Sequence, residues 1–306
     1  MVKTTGTNGL DIQRDYICVA QYSPRDMAVR QIGVRPLSSD GPGDFWDAVS
    51  AELLYLRKEI KWKGADVVCS LPCDMVVVRT LEAESDELDQ NEVLRFELGV
   101  GLLGGIGEYA YDFYEVEPGN TADLRRYLGA ALRKETLAKL KKVVKKSAKL
   151  NPYIVDVDIF ALTHVFQANY RDVFTGAAML VLGEHRRTKL ILVSNTSYID
   201  YGIVEYDVDE HGAGGYPGAL SAEVSRLVAD NASFLRGNSA PVYLAGGLFA
   251  DNVIVSKVNS AIPKSEMLNP FRKIQCAAGM DAAQIEANAC RLAVSVGLAL
   301  RGEEGL

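Results

Sequence analysis

One pattern occurs twice in this chain, and it restricts the possible folds more than any single motif does. GLDIQRDYICVAQYSPRDMAVRQIGV, from Gly9 to Val34, reads as three successive strands broken by polar turns at Gln13-Arg14-Asp15 and Ser23-Pro24-Arg25-Asp26. AAMLVLGEH, TKLILVSN and TSYIDYGIVEYD, from Ala177 to Asp207, repeat the three-strand meander with equally tight turns. The first meander is followed by a helix over 44–63, with Phe45, Ala48, Leu53, Leu56 and Ile60 inward and Gly64 as its stop, and by the strand ADVVCSLP. The second is followed by GALSAEVSRLVADNASFLRG as helix, PVYLAGGL as strand, FADNVIVSKVNSAI as helix and a last helix over 281–300. A duplicated α/β pattern predicts two domains facing each other across a cleft.

A block of different character, over about 75–148, interrupts the first half. It holds the strand MVVVRTLEA, a helix opened by Ser85, two further strands and the segment KETLAKLKKVVKKSAKL. In that segment Leu137, Leu140, Val144 and Ala148 fall at helical spacing, which leaves Lys139, Lys142, Lys145, Lys146 and Lys149 on the other faces. The lysines read as a solvated face, because no aromatic residues are interleaved to stack nucleic-acid bases. The formal net charge of −7 also argues against nucleic acid as a main partner. No run approaches the roughly 20 apolar residues that cross a bilayer, and MVKTTGTNGLD lacks the apolar core of a signal peptide, so a cytoplasmic location is expected. The five scattered cysteines read as buried reduced thiols, and Cys69 and Cys73 have no second pair at zinc-ligand spacing.

The order of these segments, with several local signatures, resembles the actin-like ATPase superfamily and, within it, the PilM family of type IV pilus assembly proteins, relatives of FtsA. GLDI at Gly9–Ile12 looks like the first phosphate loop, and Ser70–Gly99 like the opening of the extra subdomain that PilM and FtsA carry. VDVDIFAL at Val155–Leu162, LAGGL at Leu244–Leu248, NPF at Asn269–Phe271 and SVGLALRG at Ser295–Gly302 follow in the family's order, LAGGL as the adenosine-binding loop. The resemblance implies an actin-like fold of two RNase H-like domains, residues 1–170 and 171–306, with an inserted α+β subdomain in the first half.

The same resemblance makes Asp11, Thr188, Gly246 and Gly247 the positions of a nucleotide site. The family's second phosphate loop reads D-I-G, three residues, then Thr. With Thr188 in the last place, Leu182 stands at the aspartate and Glu184 at the glycine, and Gln13 replaces a glycine of the first loop. Leucine cannot organise a metal-bound water, and a glutamate carboxylate repels a triphosphate. The stretch from Leu182 to Gly246 is also short of the helical lobe that closes over nucleotide. A degenerate site is therefore expected, with no required cofactor or metal, no catalytic residues, and ATP with magnesium bound weakly if at all. A working ATPase with a metal ligand from elsewhere, and a polymerising actin-like protein, are the alternatives. Asp11 is either a holder of metal-bound water or an ordinary strand-end residue. Asp156 and Asp158, two residues apart in an apparent strand, share a face toward the cleft, as a general base or as a solvated strand end. Gly246-Gly247 either admits an adenosine or serves its own turn, and His185, Arg186 and Arg187 read as an exposed hairpin tip.

For the partner, the resemblance implies an adaptor holding the extended cytoplasmic tail of a PilN-like inner-membrane protein where the insert meets the first domain. Pilus motor ATPases are further implied partners, and the protein would be peripheral to the inner membrane. Val77 in MVVVRTLEA and Leu94, Phe96 and Leu98 in the adjoining helix offer more apolar surface than one buried face requires, which suits a peptide groove or the insert's own small core.

Overall fold

The computed structural model describes residues 6–37, 44–62, 64–84, 89–116, 124–172, 176–194, 198–236 and 240–304. In chain order the elements are β1 (Thr7–Ile12), β2 (Tyr16–Ser23), β3 (Ala28–Pro36), α1 (Phe45–Glu59), β4 (Asp66–Ser70), β5 (Val76–Glu84), α2 (Gln90–Gly99), β6 (Tyr109–Val116) and β7 (Leu124–Arg133). They continue with α3 (Lys134–Val143), extended by a π-turn at Val144–Ala148, then β8 (Asn151–Val155), α4 (Asp158–Tyr170), β9 (Ala177–Gly183), β10 (Thr188–Ser194) and β11 (Tyr198–Val204). The rest are α5 (Val208–His211), α6 (Tyr216–Asp230), α7 (Ala232–Leu235), β12 (Val242–Ala245), α8 (Asn252–Ala261), β13 (Ser265–Met267), β14 (Gln275–Cys276) and α9 (Ala282–Glu304).

The repeat seen in the sequence is a repeat of topology. One sheet runs β14-β3-β2-β1-β4-β8 and another β11-β10-β9-β12-β13, so each antiparallel meander continues into parallel strands in the same order. Leu10 pairs with Val19 on one side and Cys69 on the other, as Val181 pairs with Leu190 and Leu244. Successive strand residues face opposite sides, and both sides are covered. Leu10, Ile12, Val67 and Cys69 point outward into a core with α1 and α3. The inner side of the first sheet receives α9, which lies against α4, and α4 covers the inner side of the second sheet. Helices α6 and α8 close the outer side of the second sheet. The inner contacts are close enough to require glycine: a Cβ on Gly9 would fall 2.0 Å from the Ser295 carbonyl oxygen, and one on Gly297 1.9 Å from that of Ala161.

Three features differ from the sequence expectation. The lysine-rich helix does not belong to the inserted block. Its Leu140, Val144 and Ala148 fill the first sheet's outer core with Val49 and Leu53, and Ser50 and Ser147 hydroxyls meet at 2.7 Å. The insert proper is the antiparallel sheet β5-β7-β6 backed by α2, with Leu81, Leu94, Leu98 and Tyr127 between them. Ser85 lies outside the described residues, and the Asp89 side chain caps α2 by accepting from the Glu92 N–H at 3.2 Å. Finally, α9 follows the second meander in sequence yet packs on the first sheet, to which β14 also adds an edge strand.

Candidate functional site: an interlobe cleft and a groove beside the insert

The turns at the carboxyl ends of β1 and β9 face each other between the lobes, the position at which open α/β sheets present ligand sites. Here the polar side chains satisfy one another. Asp11, with no exposure, accepts from the Ser70 hydroxyl at 2.6 Å and from the Gln13 amide at 2.8 Å. The same Gln13 amide reaches the Asp158 carboxylate at 3.5 Å, and the Lys189 ammonium closes an ion pair on Asp158 with both side chains buried. A second bridge joins the lobes directly: the Tyr16 hydroxyl donates to Glu184 at 2.9 Å. The N–H of Gly247 donates to the same oxygen at 3.3 Å, and Gly246 sends its N–H to the Cys290 carbonyl at 2.9 Å. A Cβ on Gly247 would stand 2.7 Å from the Tyr16 ring and 3.2 Å from the other Glu184 oxygen, so the missing side chain is what lets the carboxylate in.

Burial raises the Asp11 carboxyl to about 7, and the neighbouring Asp158 charge adds to the rise. Burial also holds Glu184 well above the ordinary carboxylate range, with Asp15 and Asp11 pushing the same way. One oxygen of each has no hydrogen-bond partner among the described residues. Above this layer the cleft opens into a space of about 520 Å³ whose walls carry both charges. Arg14 pairs there with Asp74, Arg187 with Glu205 at 2.6 Å, and His185 with Asp209 at 2.9 Å.

Of the sequence candidates, Asp11, Gly246 and Gly247 come together around this network. Thr188 is adjacent in chain but turns its hydroxyl to Tyr216 of α6, 2.9 Å away. Asp156 and Asp158 do not share a face, because α4 begins between them: Asp158 enters the network, whereas Asp156 points to Arg301 at 3.6 Å. Glu184 is not part of a solvated hairpin tip but is 9% exposed and turned inward. Sequence reasoning missed Tyr16, Ser70 and Lys189. The available signal was Lys189 itself, a charge inside the apolar run TKLILV.

A trough runs along the other face of the inserted sheet, where that sheet meets the first lobe. It consists of two continuous pockets of about 250 and 390 Å³ that share Asp112, Ala130, Val155, Asp156 and Val157. Two strand edges border it: β6 pairs only with β7, and β8 only with β4, among the described strands. Helix α3 contributes Leu137 and Lys141, and Phe160, Tyr114 and Tyr198 form an aromatic cluster at the far end, with centroids 4.9 Å apart. None of Val77, Leu94, Phe96 and Leu98 lines it. Val77 faces α2, and Leu94 and Leu98 are buried beneath that helix, because alternation along β5 sends Val76 and Val78 to the trough side instead. Phe96 lies on the outer side of α2, 72% exposed.

Sheet order, paired lobes and cleft define an actin-like ATPase fold. The chain superposes on a chain of the PilM–PilN type IV pilus biogenesis complex with a TM-score of 0.76 and 20% identity, covering 97% of this chain and 98% of that one. It is also similar to a Bacteroides thetaiotaomicron protein of actin-like ATPase fold and unknown function, with a TM-score of 0.53, 11% identity, and coverage of 87% and 92%. No family model and no curated protein matches the chain.

Proposed function

We propose that this protein is a PilM-like adaptor of a type IV pilus or a related secretion machine, which holds the cytoplasmic tail of a PilN-like inner-membrane protein and does not turn over ATP. The observation that carries the reading is the trough flanked by the open edges of β6 and β8. An extended tail can add hydrogen bonds to a strand edge while its alternate side chains enter the apolar pockets, a combination that gives affinity and register together. The similarity to a chain of the PilM–PilN complex supports the same partner class. Among the described residues no helix is long and apolar enough to cross a membrane; in this reading the PilN-like partner supplies a membrane-spanning anchor.

The cleft supports the second half of the proposal. Phosphoryl transfer needs free N–H donors and a held metal to stabilise developing charge. Here the Gly247 N–H is engaged by the Glu184 side chain and the Asp158 carboxylate by the Lys189 ammonium, so neither is free for a phosphate or a metal ion. A triphosphate would have to displace these buried contacts to reach the loops. Calorimetry decides both halves. A synthetic peptide of the partner's cytoplasmic tail is expected to bind, and Ala130→Trp, which fills the trough, to abolish that binding while the fold is retained. ATP with magnesium is expected to show no saturable binding up to about 1 mM, by titration at two temperatures so that a binding enthalpy near zero at one of them is not mistaken for absence of binding. Micromolar ATP binding, or tail binding unaffected by Ala130→Trp, would refute the corresponding half.

A further inference from the structure

We infer that the outer helical layer of the first lobe, formed by α1, α3 and the π-turn, is a docking surface for an anionic membrane. The segment from Lys134 to Lys149 holds seven lysines against one glutamate in a chain whose net charge is −7. Lys139 is held by Glu135 at 2.8 Å. Lys141, Lys142, Lys145, Lys146 and Lys149 are all exposed and have no ion-pair partner among the described residues. Most arginines of the molecule are paired: Arg226 lies 2.6 Å from Glu223, and Arg272 2.9 Å from Asp172. A helix carboxyl end accounts for one or two cations in its last turn, not for five.

The surface continues onto α1. Helices α1 and α3 deliver the chain to neighbouring parallel strands, β4 and β8, so their carboxyl ends lie side by side. The end of α1 adds exposed Arg57, Lys58 and Lys61 against one exposed carboxylate, Glu59, which lies 3.9 Å from Arg35, with Leu54 and Tyr55 standing 43% and 52% exposed among them. Exposed ammonium groups interspersed with a few apolar side chains suit a layer of lipid headgroups. Nucleic acid is served less well by two packed helices that present one exposed aromatic, Tyr55, rather than a row of stacking rings. The acidity of the remaining surface does not oppose docking, because charges beyond about 10 Å are screened at 0.1 M salt. The face also adjoins the trough, since Leu137 and Lys141 of α3 line it. This last point rests on the proposed tail binding: a tail seated there issues from a membrane protein and brings the lysines to the bilayer.

Co-sedimentation with vesicles, using the full chain and no tail peptide, tests the inference separately from the adaptor reading. Vesicles with about 30 mol % phosphatidylglycerol in phosphatidylcholine should retain the protein and pure phosphatidylcholine should not. Retention should fall sharply between about 50 and 300 mM KCl. The triple variant Lys142→Glu, Lys145→Glu, Lys146→Glu should lower the partition coefficient by at least about 100-fold, since each lysine held near an anionic surface contributes about fivefold. Its melting temperature and tail-peptide affinity should match the parent. Failure to bind anionic vesicles at the lower salt, or equal binding by the triple variant, overturns the inference. So does displacement from the vesicles by RNA or polyglutamate at equal charge concentration, which would assign the face to a nucleic acid or an acidic protein.

Discussion

Replacing Lys189 with Met removes one charge from a buried ion pair and leaves the other in place. The Lys189 and Asp158 side chains are 2% and 0% exposed, so water cannot take over the role of the missing ammonium. Asp158 would keep the Ile159 N–H at 2.7 Å and the longer Gln13 contact at 3.5 Å, both too little for an ionised carboxylate at that depth. Breaking a buried pair in this way typically costs about 3–5 kcal/mol, which at about 2 °C per kcal/mol for a chain of this size lowers the melting temperature by roughly 6–10 °C. The assay is urea denaturation followed by circular dichroism, with the double variant Lys189→Met, Asp158→Asn beside the single one. The double variant no longer buries an uncompensated charge and should regain more than half of the loss. A single-variant loss below about 1 kcal/mol, or a double variant no more stable than the single, would refute the argument that burial makes each charge of the pair depend on the other.

Asp11 makes stability depend on pH. The folded protein keeps this proton to about 7, whereas the unfolded chain releases it near 3.9. The group's contribution is therefore fully present below about 4 and is lost as pH rises to about 7, at up to about 1.4 kcal/mol per unit. Asp11→Asn lacks that slope, so its stability relative to the parent should rise across the window, and a flat difference would contradict the burial argument. Phe96→Asp, at a side chain 72% exposed on the far side of α2, should change neither melting temperature nor tail affinity. Loss of tail binding in that variant would move the docking face from the trough to α2.

The repeated meander was legible because each strand is buried on both sides or alternates cleanly, as in LVLGEHRRTKLILV, where apolar runs flank a charged turn. At Leu182, Glu184 and Gln13 the sequence departs from the loop pattern of the resembled family, and that much is a comparison of residue types alone. What those substitutions do was not legible. Period-2 alternation says that Tyr16 and Glu184 lie near strand ends, not that they meet across the cleft 168 residues apart in sequence. The lysine-rich helix was assigned to the wrong layer for a similar reason: its apolar stripe is equally compatible with the insert and with α1. The two-residue strand β14 carries no periodic signal at all.

Helix α9 gives the molecule an unusual order of completion. Its Ala299 carbonyl accepts from Thr7 at 2.7 Å, a contact between residues 292 apart, and α9 is the layer that covers the inner face of β1. At about 5–20 residues per second, a ribosome places the two segments in the cell roughly 15–60 s apart. During that interval the first meander can pair its strands but has nothing to lay against Gly9, Ala20 and Val68. The nascent chain thus carries an apolar sheet face that only its own last helix can cover. Such a face is what chaperones that bind polypeptides still attached to the ribosome would recognise, and the packing order predicts that the first lobe closes only after α9 has been made.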